Sequence, residues 1–562
     1  VASRYVDASG TWRDVPDSTI DAVLHAMGAD GAGPPADARV LCVEAHVTPR
    51  LDAPARLIVH DGSELDVRDR LPPDLPIGYH RLEWRGTAQP TRLIVTPRTC
   101  VLPGSRSWGW AVQLYALRSR ASWGIGDLDD LRRFAGMSRE HGARMVLVSP
   151  LHAPGPGLPQ ETSPYFPSSR RFRNPLHVFV DDGVLNDEGR ALNADRQIDR
   201  DAVFRLKLRA LERRWREFTG DPAFDAYVAE QGEGLRAYAM FCAPDDADRV
   251  RFHMWVQWLL DCQLEAASRE LPLVLDLAVG VDPAGADAHI DAGAYPTGVS
   301  IGAPPDEFNT EGQNWGLLPF DPWGLRACEY EPFIQTVRAG FRHACGLRVD
   351  HVMGLFRQFW IPDGCGPEAG TYVRYPAGDL LDILAVESHR AGAFVVGEDL
   401  GTVENEVRDE LARRQVLSYR LLYFEAGDPR ELPARALTAA NTHDLPTIAG
   451  LWTGRDLERQ HRAGMRPNED GTRRLRAHIR SLAEVDEDAS LDDVVVGTHR
   501  ALARAPSVLL AATLDDALAV EERPNLPGTT EATNWCTALP LPLDDIARDP
   551  RIQRVAQVLS LG

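Results

Sequence analysis

The sequence predicts an α/β chain: a (β/α)8 barrel of the TIM type with insertions, preceded by a β-rich N-terminal module. The prediction rests on a change of pattern near residue 104, on eight short apolar runs alternating with helical periodicity beyond it, and on length. At 562 residues, the chain has room for a barrel of roughly 250 residues, enlarged by insertions, and for an appended module.

In the first module, 1–104, a helical pattern at 18–27 precedes alternating segments at 39–47, 55–60, 80–84 and 92–97. Alternation bounded by Gly, Pro and Asp reads as half-buried antiparallel strands. The second domain, 105–562, carries apolar runs at 110–117, 145–151, 273–279, 346–352, 394–400, 419–425, 439–444 and 508–514. Helical patterns lie between most of them, at 127–139, 332–343, 379–391 and 402–413. Apolar strands alternating with helices imply a parallel sheet, and eight imply closure. A mainly helical insertion around 200–270 falls between the second and third strands, with Phe204, Leu211, Trp215 and Phe218 as core positions. The stretches 180–191 and 425–433 are short and Gly/Asp-rich, as if loop residues were missing, and a start at Val1 without methionine implies a preceding segment.

Composition narrows the function. The formal net charge of −21 repels nucleic acid and anionic membrane surfaces but suits a neutral ligand such as a sugar. Lys207 is the single lysine, so almost all positive charge is arginine. The eight cysteines are scattered without a Cys-x-x-Cys pair, which argues against a zinc knuckle or redox motif. Cys262 and Cys345 read as free buried thiols. With no signal-peptide pattern and no long apolar run, a reducing cytoplasm is the expected location. Neither a metal nor a cofactor is expected. The oligomeric state is left open, a homodimer among the choices.

Barrel enzymes place their chemistry where strands end. Three carboxylates occupy such places: Asp350 after Gly-Leu-Arg-Val, Glu398 after Phe-Val-Val-Gly, and Asp444 after Ala-Asn-Thr-His. They fall on strands four, five and seven. Arg348 and Asp350 are two apart and share a strand face, so a guanidinium keeps that carboxylate ionised, as a nucleophile requires. The apolar wall before Glu398 raises its pKa, as a proton donor requires. Two carboxyl groups pushed apart in this way are the signature of paired nucleophile and acid work. Taken singly, Arg-x-Asp reads as a salt bridge, Gly-Glu-Asp as a helix cap and Thr-His-Asp as a turn. Their order on alternating strand ends favours the chemical reading.

The blocks Arg348-Val349-Asp350-His351-Val352-Met353-Gly354, Gly397-Glu398-Asp399-Leu400-Gly401 and Thr442-His443-Asp444 resemble the signatures of the 4-α-glucanotransferase family, also called amylomaltase or disproportionating enzyme. Gly302-Ala303-Pro304-Pro305-Asp306 with Gly312-Gln313-Asn314-Trp315-Gly316 resembles that family's loop between strands three and four. Ser122-Trp123-Gly124-Ile125-Gly126-Asp127, Ser163-Pro164-Tyr165 and Asn525-Leu526-Pro527-Gly528-Thr529-Thr530 agree as well. The N-terminal module is similar to the extension of the long bacterial members. The resemblance implies a retaining transfer of α-1,4-glucan segments between maltooligosaccharides through a glycosyl-aspartate. Asp350 is then the nucleophile, Glu398 the acid/base and Asp444 the transition-state stabiliser. Arg348, His443, Tyr165, Trp315, Gln313 and Asp127 are the implied substrate contacts. One departure is Asp444-Leu445-Pro446-Thr447, where many members have Asp-Asn-Asp-Thr.

Other readings stand beside this one. A hydrolase would use the same three carboxylates with water as acceptor. A non-catalytic glucan scaffold would not need them intact. A metal-dependent hydrolase built on His152, His351 and His443 lacks a His-x-His spacing. Asp276 and Asp282 suit calcium less well than Asp282-Pro283-Ala284-Gly285 suits a turn.

Overall fold

The structure is a computed structural model that describes residues 1–6, 10–29, 40–86, 89–305, 312–401, 403–529 and 533–561. Its central feature is a closed barrel. The eight strands are Ser107–Val112, Met145–Val148, Leu273–Leu277, Gly346–Val349, Phe394–Gly397, Leu417–Leu421, Ala436–Ala439 and Leu509–Thr513. Five of them, at 145–148, 273–277, 346–349, 394–397 and 436–439, are buried at every residue. A parallel strand covered on both faces has no polar side to show, hence the nearly continuous apolar runs, interrupted by Asp276, Arg348 and Thr438. Each strand ends one to five residues before its apolar run does. The remainder turns out of the sheet and becomes loop.

The chain divides into two compact units, 1–103 with 279–418, and 104–278 with 419–562. In the first, a mixed five-stranded sheet runs in the order Val40–Glu44, Thr91–Thr96, Gly78–Trp84, Ala55–Ile58, Glu64–Val67. Its first pair is parallel and the others antiparallel. Leu57, Leu82 and Leu93 form its core. A second, four-stranded antiparallel sheet runs Gln313–Leu317, Val299–Ala303, Arg357–Pro362, Thr371–Arg374. The N-terminal residues pack against this sheet. Val23 and Met27, from and just after the helix Asp17–Ala26, cluster with Val299, Trp360 and Val373. Tyr5 and Val15 cluster with Phe359 and Ile361. The 1–104 segment therefore finds part of its core far downstream, in residues 299–373.

That second sheet corrects the sequence reading, which made 302–316 a loop. Gly302 pairs with Asn314, and Ala303 with Gln313, in a hairpin. A Cβ on Gly302 would lie 2.1 Å from the Gln313 carbonyl oxygen, so glycine is there for close backbone approach. Such glycine-rich strands carry little apolar alternation, and the pattern passed for loop. Asp306 lies outside the described residues.

In the second unit, the helices Arg200–Glu217, Pro222–Cys242 and Ala247–Glu270 fill the stretch between the second and third barrel strands. Trp215 stacks on Phe218 and tilts against Trp255, the packing role expected of those aromatics. Among the described residues no helix is long and apolar enough to cross a membrane. All eight cysteines are free. Cys262 is exposed and Cys345 half-buried, so neither is the buried thiol expected. Cys262 sits on the outward face of its helix between Asp261 and Gln263, with the apolar residues of the buried face further along on either side.

Candidate active site

Arg348 is the third residue of the strand Gly346–Val349, and Asp350 is the first beyond it. The strand pairs in parallel with Phe394–Gly397, Val349 opposite Gly397, so Asp350 and Glu398 leave the sheet at the same register. Pairing continues past both ends: Glu398 N donates to Val349 O at 3.0 Å, and Val352 N to Glu398 O at 3.0 Å. Arg348 Nη2 stands 3.0 Å from Asp350 Oδ1. This is the close charge pair that their spacing implied.

Glu398 is held differently. Oε2 accepts from His351 N at 2.9 Å and Oε1 from Leu400 N at 2.8 Å. His351 adopts φ +45°, turning its N–H back toward the carboxyl. Burial raises the Glu398 pKa, and the charge of Asp399 adds to the rise. Arg348 and the two backbone donors oppose it. Asp399 itself is buried and accepts from Ser418 Oγ at 3.0 and 3.1 Å. From the hairpin, the half-buried Trp315 sets its ring edge-on to His351 at 5.5 Å and donates from Nε1 to Gln313 Oε1 at 3.2 Å. The first unit thus brings together Arg348, Asp350, Glu398, Trp315 and Gln313.

The second unit assembles the other residues. Its barrel strand Ala436–Ala439 ends earlier than the sequence implied, so His443 and Asp444 belong to the loop beyond it. His443 Nε2 lies 3.4 Å from Asp444 Oδ2. Tyr165 stacks on the His443 ring at 4.8 Å and 29°, and its hydroxyl donates to Asp276 Oδ2 at 2.7 Å. Trp535 tilts against both rings, at 5.4 and 5.1 Å. Asn525 Nδ2 donates to Asp444 Oδ1 at 2.7 Å. Sequence reasoning missed Trp535, did not assign Asn525, and weighed Asp276 only as a cation ligand. The signal for Asp276 was present, an ionisable residue inside the apolar strand Leu-Val-Leu-Asp-Leu. For Trp535 there was none, because a tryptophan in a loop has no period to betray its partner.

Asp127 has a different position from that of a substrate contact. It is 3% exposed and caps the helix Leu128–Glu140, accepting from Asp129 N and Asp130 N. Its oxygen lies 3.9 Å from Lys207 Nζ, which donates to the carbonyls of Leu176 and Val178 at 2.7 and 2.8 Å. Burial and the neighbouring Asp130 raise its pKa, against the pull of Lys207. The sequence block Gly-Ile-Gly-Asp is thus a helix start, corrected here by the burial of its carboxylate. His152 is also enclosed: its Nε2 accepts from Ala278 N at 3.3 Å, and burial lowers its pKa. Among the described residues, no group of three or more His, Cys, Asp or Glu is placed to hold a metal ion.

The family profile described as 4-alpha-glucanotransferase matches residues 112–249 and 243–542. The chain belongs to the 4-alpha-glucanotransferase family. It is 40% identical over 584 residues to the 4-alpha-glucanotransferase of Mycobacterium tuberculosis strain H37Rv, with 87% of this chain and 80% of that one covered. It is 33% identical over 570 residues to that of Haemophilus influenzae, covering 84% and 82%. The crystal structure of amylomaltase from Corynebacterium glutamicum superposes with a TM-score of 0.91 at 30% identity, over 100% of this chain and 98% of that one. As a 4-alpha-glucanotransferase family member the chain is an enzyme, and the family match begins at residue 112, beyond the β-rich N-terminal region.

Proposed function

We propose that this enzyme moves α-1,4-glucan segments between maltooligosaccharides by double displacement. The observation that carries the reading is the pairing of Val349 with Gly397, followed on one strand by a carboxylate held by a guanidinium and on the next by a buried carboxyl with raised pKa. Neighbouring strands run about 4.8 Å apart, the scale of the ~5–5.5 Å between the carboxyl groups of retaining enzymes. Glu398 gives its proton to the glycosidic oxygen while Asp350 attacks the anomeric carbon, and the carbon–oxygen bond to the leaving sugar breaks. Glu398 then takes the proton of an acceptor 4-hydroxyl, whose oxygen displaces Asp350. Two inversions restore the α configuration. Asp444 stabilises the positive charge that develops on the ring.

Arg348 and His443 flank the reacting glucose in this scheme, and Tyr165 offers it an aromatic face. Trp315 and Gln313 line the acceptor side. The partners are α-glucans and maltooligosaccharides, and the proposed location is the cytoplasm. Incubation with pure maltotriose tests the proposal. A transferase makes a ladder of longer and shorter oligosaccharides while the total of reducing ends stays constant, because each bond broken is replaced by one made. A steady rise in reducing ends without longer chains identifies a hydrolase instead.

A further inference from the structure

Asp350 and Glu398 each follow directly on a barrel strand, so the sheet itself locates them. Asp444 is five residues past Ala439, on a loop, with its side chain 46% exposed. Something other than the sheet must hold it. The segment 523–525 touches the His443–Asp444 pair at three points. Arg523 Nη1 donates to Asp444 O at 2.8 Å, Asn525 Nδ2 to Asp444 Oδ1 at 2.7 Å, and Asn525 N to His443 O at 3.2 Å.

Arg523 is itself anchored. It is buried, and its Nε stands 2.9 Å from Oδ1 of the equally buried Asp456 while Nη2 reaches Oδ2 at 3.3 Å. Asp456 sits in the first turn of the helix Arg455–Arg462, where the helix dipole favours an acid, and accepts from Gln460 at 2.8 Å. Arg459 of the same helix donates to the Arg523 carbonyl at 2.9 Å. One helix therefore grips Arg523 by side chain and backbone, and Arg523 grips the backbone of Asp444.

We infer that the Arg523–Asp456 pair is a positioning clamp for Asp444, transmitting the rigidity of the 455–462 helix to a reacting group that has no strand beneath it. The inference rests on the reading that Asp444 acts in the reaction. Arginine suits the task because its planar fork serves a carboxylate on one edge and a carbonyl on another. Lysine offers a single point of charge on the same site. A group held within a fraction of an ångström loses rate steeply when released, about 10²-fold for a 1 Å error.

The test compares Arg523→Lys, Asp444→Asn and the double variant in transfer from maltotriose. Arg523→Lys should lower kcat by roughly 10–100-fold with KM within about threefold of the parent, measured per folded molecule. The double variant should turn over no more slowly than Asp444→Asn, because the clamp acts through a group already disabled. A merely structural role would lower the melting temperature and leave kcat per folded molecule unchanged; a fall in kcat that instead multiplies with that of Asp444→Asn would act independently of Asp444. Either of the last two results overturns the clamp. Should Arg523→Lys fail to fold, Asp456→Asn frees the same guanidinium and is read identically. Near-normal turnover in Asp444→Asn overturns the role of Asp444 itself, whereas its loss beside an unaffected Arg523→Lys overturns the clamp alone.

Discussion

At Asp350 and Glu398 two carboxyl groups of like chemistry are separated by surroundings alone. Arg348 stands 3.0 Å from Asp350, whereas Glu398 is enclosed, and burial outweighs Arg348 and two backbone donors to raise its pKa. A raised carboxyl pKa keeps the proton on below that value and sheds it as pH climbs through it. In the proposed mechanism Glu398 must be protonated to begin the reaction, so it should govern the alkaline limb of the rate profile, above the ordinary glutamate range. Glu398→Gln should cost roughly 10²–10⁴-fold with maltotriose and abolish that limb. A glucosyl fluoride, whose leaving group needs no proton, should still form the glycosyl-enzyme, and if it reacts no better than maltotriose Glu398 is not the acid. Asp350→Asn removes the attacking oxygen's charge while keeping its shape, and turnover should fall by several orders of magnitude. Near-normal activity in that variant would reassign the nucleophile.

Elements decide what a residue can do, and two of them show it. The helix Leu128–Glu140 consumes Asp127 as its cap. Asp127→Ala should cost roughly 1 kcal/mol for the lost cap, seen as a lower urea midpoint at unchanged slope. Asp127→Asn should keep both the cap and the turnover per folded molecule. A selective loss of turnover in the asparagine variant would return Asp127 to the substrate. Opposite it, Lys207 fits its compact ammonium between two carbonyls. In a chain where every other basic side chain of this kind is arginine, Lys207→Arg should overpack the site by about 1–3 kcal/mol, checked by the same melts. The hairpin of Val299–Ala303 and Gln313–Leu317 is the second case. Its strand Gln313–Leu317 carries Trp315 against His351, one residue from Asp350. Trp315→Ala should loosen the acceptor and shift products toward hydrolysis, counted as new reducing ends per bond transferred.

Over the whole molecule, the barrel mixes elements whose sequence signals differ in kind. Strands buried on both faces are legible as apolar runs, and seven of the eight runs overlap a barrel strand by three or more residues, whereas 439–444 meets its strand only at Ala439. The antiparallel sheet of 299–374 was not, because Gly302, Gly316 and the flanking prolines replace the alternation that would announce it. The partnership of Val23 and Met27 with Trp360 and Val373 was beyond reach for another reason. An amphipathic helix declares that it has an apolar face, never which distant surface covers it. Chelation probes the molecule as a whole. Prolonged dialysis against EDTA should leave the transfer rate unchanged, and a loss restored by calcium or zinc would assign a metal role to Asp276, Asp282 or the histidines.

Sequence by itself placed Asp350 and Glu398 directly beyond two barrel strands. Arg348, Asp350, Glu398, His443 and Asp444 lie next to apolar runs in the chain, and adjacency along a strand constrains which side chains share a face. It determined the barrel as well, through the alternation of buried strands and helices. Tertiary structure alone decided how the groups are held. The stacking of Tyr165 on His443 spans 278 residues, the hydrogen bond from Asn525 to Asp444 spans 81, and Asp276 meets the Tyr165 hydroxyl from 111 residues away. Such contacts join loops that have no periodicity, and their geometry is set by the packing beneath them.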